Sequence, residues 1–170
     1  MSPSPPRAAT PQPPRRDPHR PAPAAAGAAA DAPLRSYDKP ATIRFSQCDP
    51  AGIVFFPNYL VMINDLNEEW VGHLLGTPYA DMVARRQIGL PTVSLQCEFT
   101  AVSRMGEQVL LTLAVERLGA RSITLRHECR CGSELRYRMR QVLVMMNLAT
   151  QRAVDVPADL RAAIAAFQSP

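Results

Sequence analysis

The sequence predicts a single α+β domain in which an antiparallel sheet wraps around one long central helix. Three observations carry this: an apolar stripe at helical spacing over 57–75, four later segments that alternate apolar and polar residues, and an N-terminal stretch too poor in apolar residues to join either. The 170 residues fit one domain, and a hydrophobic content of 46% is ordinary for a chain that buries a core.

Ten of the 17 prolines fall before Leu34, in a stretch with no Ile, Val, Leu, Phe, Tyr or Trp. Such a segment buries too little apolar surface to offset the entropy of ordering it. Residues 1–36 are therefore read as a disordered tail and 37–170 as the folded domain. Arg7, Arg15, Arg16, Arg20 and Arg35 against Asp17 and Asp31 place three of the net +4 charges in the tail. The domain is left near neutral, with no overall electrostatic reason to seek nucleic acid despite a pI of about 9.2.

The interleaved prolines oppose the amphipathic helix of a targeting peptide, and the 24–30 alanine run is too weakly apolar for a secretory segment. No apolar run approaches the about 18 residues that a membrane span needs. Cys48, Cys97, Cys129 and Cys131 lie in or beside apolar segments, which reads as reduced thiols in a cytoplasmic protein. Cys129 and Cys131 next to His127 invite a zinc site, but metal pairs usually come from turns and no second pair follows.

Along the chain, 41–47 reads as a short strand, with Ile43 and Phe45 alternating with polar neighbours, broken by Asp49-Pro50-Ala51-Gly52. From Pro57 to Leu75, Tyr59, Met62, Ile63, Leu66, Trp70 and Leu74 recur at three and four, one wide buried stripe of a helix. Pro57 suits the first turn, where its missing N–H has no partner to lose. His73 falls on the same stripe and is expected in the core. The helix stops near Gly76 and Pro78, a shorter helical piece covers 82–86, and Gly89-Leu90-Pro91 marks another break.

Four strands follow. Val93, Leu95, Cys97 and Phe99 alternate with polar residues, as do Val109, Leu111, Leu113 and Val115. Ile123, Leu125, His127 and Cys129 form the dry face of a third strand. Leu135, Tyr137 and Met139 form that of a fourth, whose Arg136, Arg138 and Arg140 are expected on a solvated face. Over 142–146 the alternation lapses, as where a strand is covered on both sides at a subunit interface. A C-terminal helix spans 157–167. One apolar helix followed by an antiparallel sheet must pack helix on sheet, and wrapping the sheet around the helix gives a hotdog architecture.

The densest cluster of unusual residues is Cys48-Asp49-Pro50-Ala51-Gly52-Ile53-Val54-Phe55-Phe56-Pro57-Asn58-Tyr59, a loop that runs into the long helix. The first N–H groups of a helix lack internal partners and sit at the positive end of its dipole, so they can hold an oxyanion that develops on a thioester carbonyl. Asp49 could act from the other side of that carbonyl, as nucleophile or as general base toward water. Gly52 lets backbone pass close to a ligand. On composition alone, Asp49 as a turn former ahead of proline is an equal reading.

The run from Phe45 to Tyr59 resembles the signature of the 4-hydroxybenzoyl-CoA thioesterase family and its acyl-CoA thioesterase relatives. The likeness continues more loosely through Gly89 to Ser94, Arg121-Ser122 and Val156 to Asp159. It implies Asp49 as the catalytic carboxylate and the Phe56 N–H as the group that polarises the carbonyl. Substrate contacts are implied at Gly52, Tyr59, Asn64 and Leu90, and CoA phosphate contacts at Arg117, Arg121 and Ser122. It implies no metal or redox cofactor. It also implies homo-oligomers, dimers joined sheet edge to sheet edge and often paired into tetramers, with the active site between subunits.

Three positions depart from the family pattern. Gln47 stands where many members have a second acid, Asn64 where 4-hydroxybenzoyl enzymes place a carboxylate, and Leu90 where they place a threonine. An aryl or medium-sized acyl-CoA remains the expected substrate, without the 4-hydroxyl contact. Glu68 and Glu69 lie opposite the buried stripe and at its edge, which favours solvated or interface roles. Cys48 has no histidine near it in sequence. A hydratase would need a histidine in the loop, and His19, His73 and His127 lie elsewhere. A non-catalytic acyl-binding module and a carrier-protein thioesterase are the remaining alternatives.

Overall fold

The computed structural model describes residues 34–169, so the reading of 1–36 as a disordered tail falls outside the described residues over 1–33. The elements in chain order are β1 (Ser36–Thr42), α1 (Phe56–Leu75), α2 (Tyr79–Ala84), β2 (Ile88–Gly89), β3 (Thr92–Phe99), β4 (Gln108–Leu118), β5 (Ser122–Cys131), β6 (Glu134–Val144), β7 (Met146–Asn147), β8 (Arg152–Ala153) and α3 (Ala158–Gln168). The long strands form one antiparallel five-stranded sheet in the order β1-β4-β5-β6-β3, and β2-β7-β8 form a small second sheet. The large sheet curls around α1, which makes this a hotdog domain.

The stripe on α1 does what its spacing requires. Tyr59, Met62, Ile63, Leu66, Trp70 and Val71 are buried against inward residues such as Leu113, Leu125 and Met139, which are fully buried. Each such side chain contributes roughly 1.5–3 kcal/mol relative to exposure. Gly76 takes a left-handed φ of 63° and ends the helix, as a C-terminal glycine does. Leu160 and Ile164 of α3 close the core at the far end of α1, where the rings of Trp70 and Phe167 meet edge to face at 5.9 Å. Among the described residues no helix is long and apolar enough to cross a membrane.

The first strand differs from the expectation of 41–47. The chain pairs with β4 over Ser36–Thr42 instead, and Phe45–Gln47 is a single 3₁₀ turn with Phe45 exposed. In β1 the half-buried Tyr37, Lys39 and Ala41 alternate with exposed Ser36, Asp38 and Pro40. Such weak apolar contrast hides the strand, and an edge position tolerates the proline.

Two side chains also differ. His73 is exposed, its ring 5.6 Å from that of Tyr37, because it sits on the flank of the stripe in the last turn. Arg136 is buried rather than solvated, because the segment leading into β4 folds over it and supplies Val102 O and Glu107 as partners. Over 142–146, Leu143 and Met145 are buried while Val142, Val144 and Met146 are half-buried, so within one chain the alternation persists. Every residue of the edge strand β3 is exposed, including Val93 at 60% and Phe99 at 47%.

Candidate active site

Asp49 sits at the start of a tight turn closed by a two-stranded bridge. Cys48 pairs with Val54, the Asp49 N–H donates to Ile53 O at 2.9 Å, and the Gly52 N–H donates to Asp49 O at 2.9 Å. The carboxylate folds back on its own turn, with Oδ1 accepting from the Ala51 N–H at 2.8 Å. That bond fixes the side chain and leaves its second oxygen available. Gly52 has φ +74°, and a Cβ there would meet nothing within 4 Å, so conformation rather than space asks for glycine.

The helix start is tied to the same turn. The Phe55 N–H donates to Gln47 O at 3.0 Å, the Val54 N–H to Ser103 O at 2.9 Å and the Asn58 N–H to Phe55 O at 2.8 Å. Pro57 has no N–H. Phe56, the first helical residue, thus has the first-turn N–H without a backbone acceptor among the described residues, at the positive end of α1. The N-cap residue Phe55 supplies no side-chain cap. A carboxylate and an uncapped helix N–H on two ends of one short loop can flank a carbonyl, one attacking or activating water while the other takes up charge on oxygen.

A second layer supports the loop. Ile53 bridges to Arg104, and Arg136 donates to Val102 O at 2.6 Å and to Glu107 Oε1 at 3.0 Å, which fastens the 102–107 segment to β6. Tyr59 is buried, stacked edge to face on Tyr137 at 4.9 Å, with its hydroxyl beside Ser103. Burial raises its pKa, and Ser103 offsets part of the rise. Tyr59 thus packs beneath the helix start. The exposed residues around the loop include the apolar Phe45, Phe55, Phe56, Phe99, Val102 and Met105 alongside Arg44, Ser46 and Arg104.

The other expected site residues lie further off. Asn64 is exposed on α1, two turns beyond Phe56, and its Nδ2 donates to Glu68 Oε1 at 2.8 Å. Glu68 in turn lies near Tyr79, whose pKa is raised by burial and by that carboxylate, a rise that the Leu90 backbone N–H on its hydroxyl oxygen partly offsets. Arg117, Arg121 and Ser122 gather at the hairpin between β4 and β5, with Arg121 Nε 2.8 Å from Asp155 Oδ1. Asp49 neighbours the opposite end of β4, whose 11 residues span about 35 Å. The structure thus brings Asp49, Gly52 and Phe56 together and leaves the hairpin cations at the other end of the same chain.

Next to the loop, between β1 and α1, lies an open groove of about 520 Å³ bordered by Lys39, Arg44, Gln47 and Asp65. Among the described residues no group of three or more His, Cys, Asp or Glu side chains is close enough to hold a metal ion. Asn58, Ser103 and Arg136 are the supports that the sequence reading did not assign. Asn58 lies inside the motif, whereas Ser103 and Arg136 meet the loop only through the fold.

Comparison with known proteins places these features in context. The family model described as the thioesterase-like superfamily matches residues 43–164. The 4-hydroxybenzoyl-CoA thioesterase of Pseudomonas sp. strain CBS-3 is 29% identical over 133 residues, 74% of this chain and 94% of that protein. The solved structure of that Pseudomonas enzyme superposes with a TM-score of 0.68 at 28% identity, covering 76% of this chain and 99% of the other. A 1,4-dihydroxy-2-naphthoyl-CoA thioesterase from Synechocystis gives 0.71 at 20% identity, covering 79% and 99%, a likeness of fold.

Proposed function

This chain belongs to the thioesterase-like superfamily, and from that membership we propose that it is an acyl-CoA thioesterase releasing CoA and a free aryl or medium-sized acid. The observation that carries the reading is the pairing, on one loop, of the Asp49 carboxylate with the uncapped start of α1 at Phe56. The named activity of the Pseudomonas relative supports the acyl-CoA class.

In the reaction the thioester carbonyl lies between the two groups. Asp49 either attacks the carbonyl carbon or takes a proton from a water that does. The Phe56 N–H and the helix dipole stabilise the oxyanion, and the C–S bond breaks to release the CoA thiolate. In the first case an acyl-Asp49 anhydride forms and water then hydrolyses it; in the second the acid forms directly. Gly52 keeps the turn open to the acyl group, and Asn64 and Leu90 border its distal end.

Arg117, Arg121 and Ser122 bind CoA phosphates for a site on another copy, since in their own chain they gather at the end of β4 opposite to the Asp49 loop. The open edge of β3, with Val93, Leu95 and Phe99 exposed, suits edge-to-edge pairing of two sheets into that dimer.

The test is thiol release from benzoyl-, hydroxybenzoyl-, phenylacetyl- and straight-chain acyl-CoAs by the wild type and Asp49→Asn. The expected result is release that falls by roughly 10²-fold or more in the variant. Equal release by both would overturn the Asp49 mechanism, and binding without release in either would favour an acyl-binding module. Solvent-oxygen labelling in a single turnover separates the two routes, because only the anhydride route puts label into Asp49.

A further inference from the structure

The Gln47 carbonyl accepts two hydrogen bonds from the start of α1, one from the Phe55 N–H at 3.0 Å and one from the Asn58 side-chain Nδ2 at 2.8 Å. Gln47 is two residues before Asp49, and Phe55 and Asn58 flank Phe56. One oxygen therefore joins the segment carrying the carboxylate to the segment carrying the oxyanion donor. The side chain of Gln47 points elsewhere, its Oε1 accepting from the Arg44 N–H at 2.7 Å, so the carbonyl is the connecting atom.

Asn58 occupies the third helical position, where asparagine has no advantage for the helix itself. A capping box would place a Glu or Gln there, reaching back to the N-cap N–H. Here the N-cap N–H of Phe55 is already committed to Gln47 O, and Asn58 reaches the same acceptor. The helix is anchored without any side chain approaching the Phe56 N–H.

On the reading that Asp49 and the Phe56 N–H act on one carbonyl, we infer that Asn58 is a positioning residue for thioester hydrolysis: its side-chain amide, through Gln47 O, sets the spacing between carboxylate and oxyanion donor. A shift of a few tenths of an ångström in that spacing weakens both interactions in the transition state while leaving CoA binding, which is remote, unchanged. The Phe55 N–H bond and the Cys48–Val54 bridge remain when Asn58 is replaced, so the loop keeps its fold and loses its setting.

The experiment compares Asn58→Ala and the isosteric Asn58→Asp with the wild type and with Asp49→Asn, reading kcat and KM on the best acyl-CoA substrate. Both Asn58 variants are expected to lower kcat by about tenfold or more with KM within about twofold. In the Asp49→Asn background, Asn58→Ala is expected to add less loss than in the wild type, because part of its effect acts through the carboxylate. The inference is overturned by a kcat that survives in Asn58→Asp, by a loss that merely follows the unfolded fraction in thermal melts, or by full additivity with Asp49→Asn. Full activity in Asp49→Asn itself would instead remove the underlying mechanism, a separate outcome.

Discussion

His127 Nε2 lies 3.0 Å from the side-chain oxygen of Gln141, with the imidazole wholly enclosed between sheet and helix. The same oxygen accepts from Asn67 Nδ2 at 2.9 Å, and Gln141 Nε2 donates onward to Thr92 Oγ1 at 2.8 Å. Because the Gln141 oxygen can only accept, Nε2 is the ring nitrogen that carries a hydrogen in this contact. Burial lowers its pKa from 6.5 to about 4, an effect that the Gln141 bond partly opposes. The unfolded chain binds a proton below about pH 6.5 that the folded chain refuses. Stability is therefore complete above that pH and declines by up to roughly 3 kcal/mol as the pH falls toward 4. Urea midpoints at near-neutral and acidic pH should differ more for the wild type than for His127→Gln, and parallel loss in both would place the acid sensitivity elsewhere.

Arg136 connects stability to the site. Its guanidinium is nearly enclosed and holds Val102 O, Glu107 and Glu134, while the neighbouring Ser103 O holds Val54 of the Asp49 turn. Arg136→Met frees two carboxylates that are partly exposed, so its effect is smaller than for a fully buried pair, about 2 kcal/mol. The variant should unfold at lower denaturant and, while folded, turn over more slowly. An unchanged kcat per folded molecule would show that the 102–107 segment does not govern the loop.

The helix and four of the five long strands are legible in the sequence because each pairs a wet face with a dry one. Strand β1 is not, since its polar, proline-bearing heptad gains its identity only from pairing with β4. The apolar face of β3 reads as core although it is open in the single chain, because alternation reports a face that will be covered without saying by what. The loop from Asp49 to Phe56 is legible as a chemical motif. Its tethers through Ser103, Arg104 and Arg136 are contacts made at long sequence separation and leave no local pattern.

Arg121 is exposed and paired with Asp155 at 2.8 Å, an exposed ion pair of small intrinsic worth. A CoA phosphate can therefore compete for the arginine at little cost. Arg121→Ala should raise KM for acyl-CoA by about fivefold, while acyl-N-acetylcysteamine thioesters, which lack phosphates, are processed as by the wild type. Asp155→Ala, which releases the arginine, should lower KM for acyl-CoA. Equal effects on both thioester types would remove Arg121 from CoA recognition.

Phe55 is an unfavourable N-cap, half-exposed and without a side-chain acceptor for the helix. Replacing an apolar N-cap with Asp or Ser ordinarily stabilises by about 1 kcal/mol, a few degrees in Tm for a domain of this size. Here Pro57 has no N–H and the Asn58 N–H already donates to Phe55 O, so Phe55→Asp and Phe55→Ser should gain little of that stability, and both lose the ring contact with Phe56, 5.5 Å between centroids. They differ in charge at the place where, on the proposed mechanism, the carbonyl oxygen becomes negative. Asp repels that charge and spends the helix dipole on itself, so Phe55→Asp should lose far more kcat than Phe55→Ser while melting at a similar or higher temperature. Equal kcat in the two variants would mean that the helix start contributes no electrostatic stabilisation to the reaction.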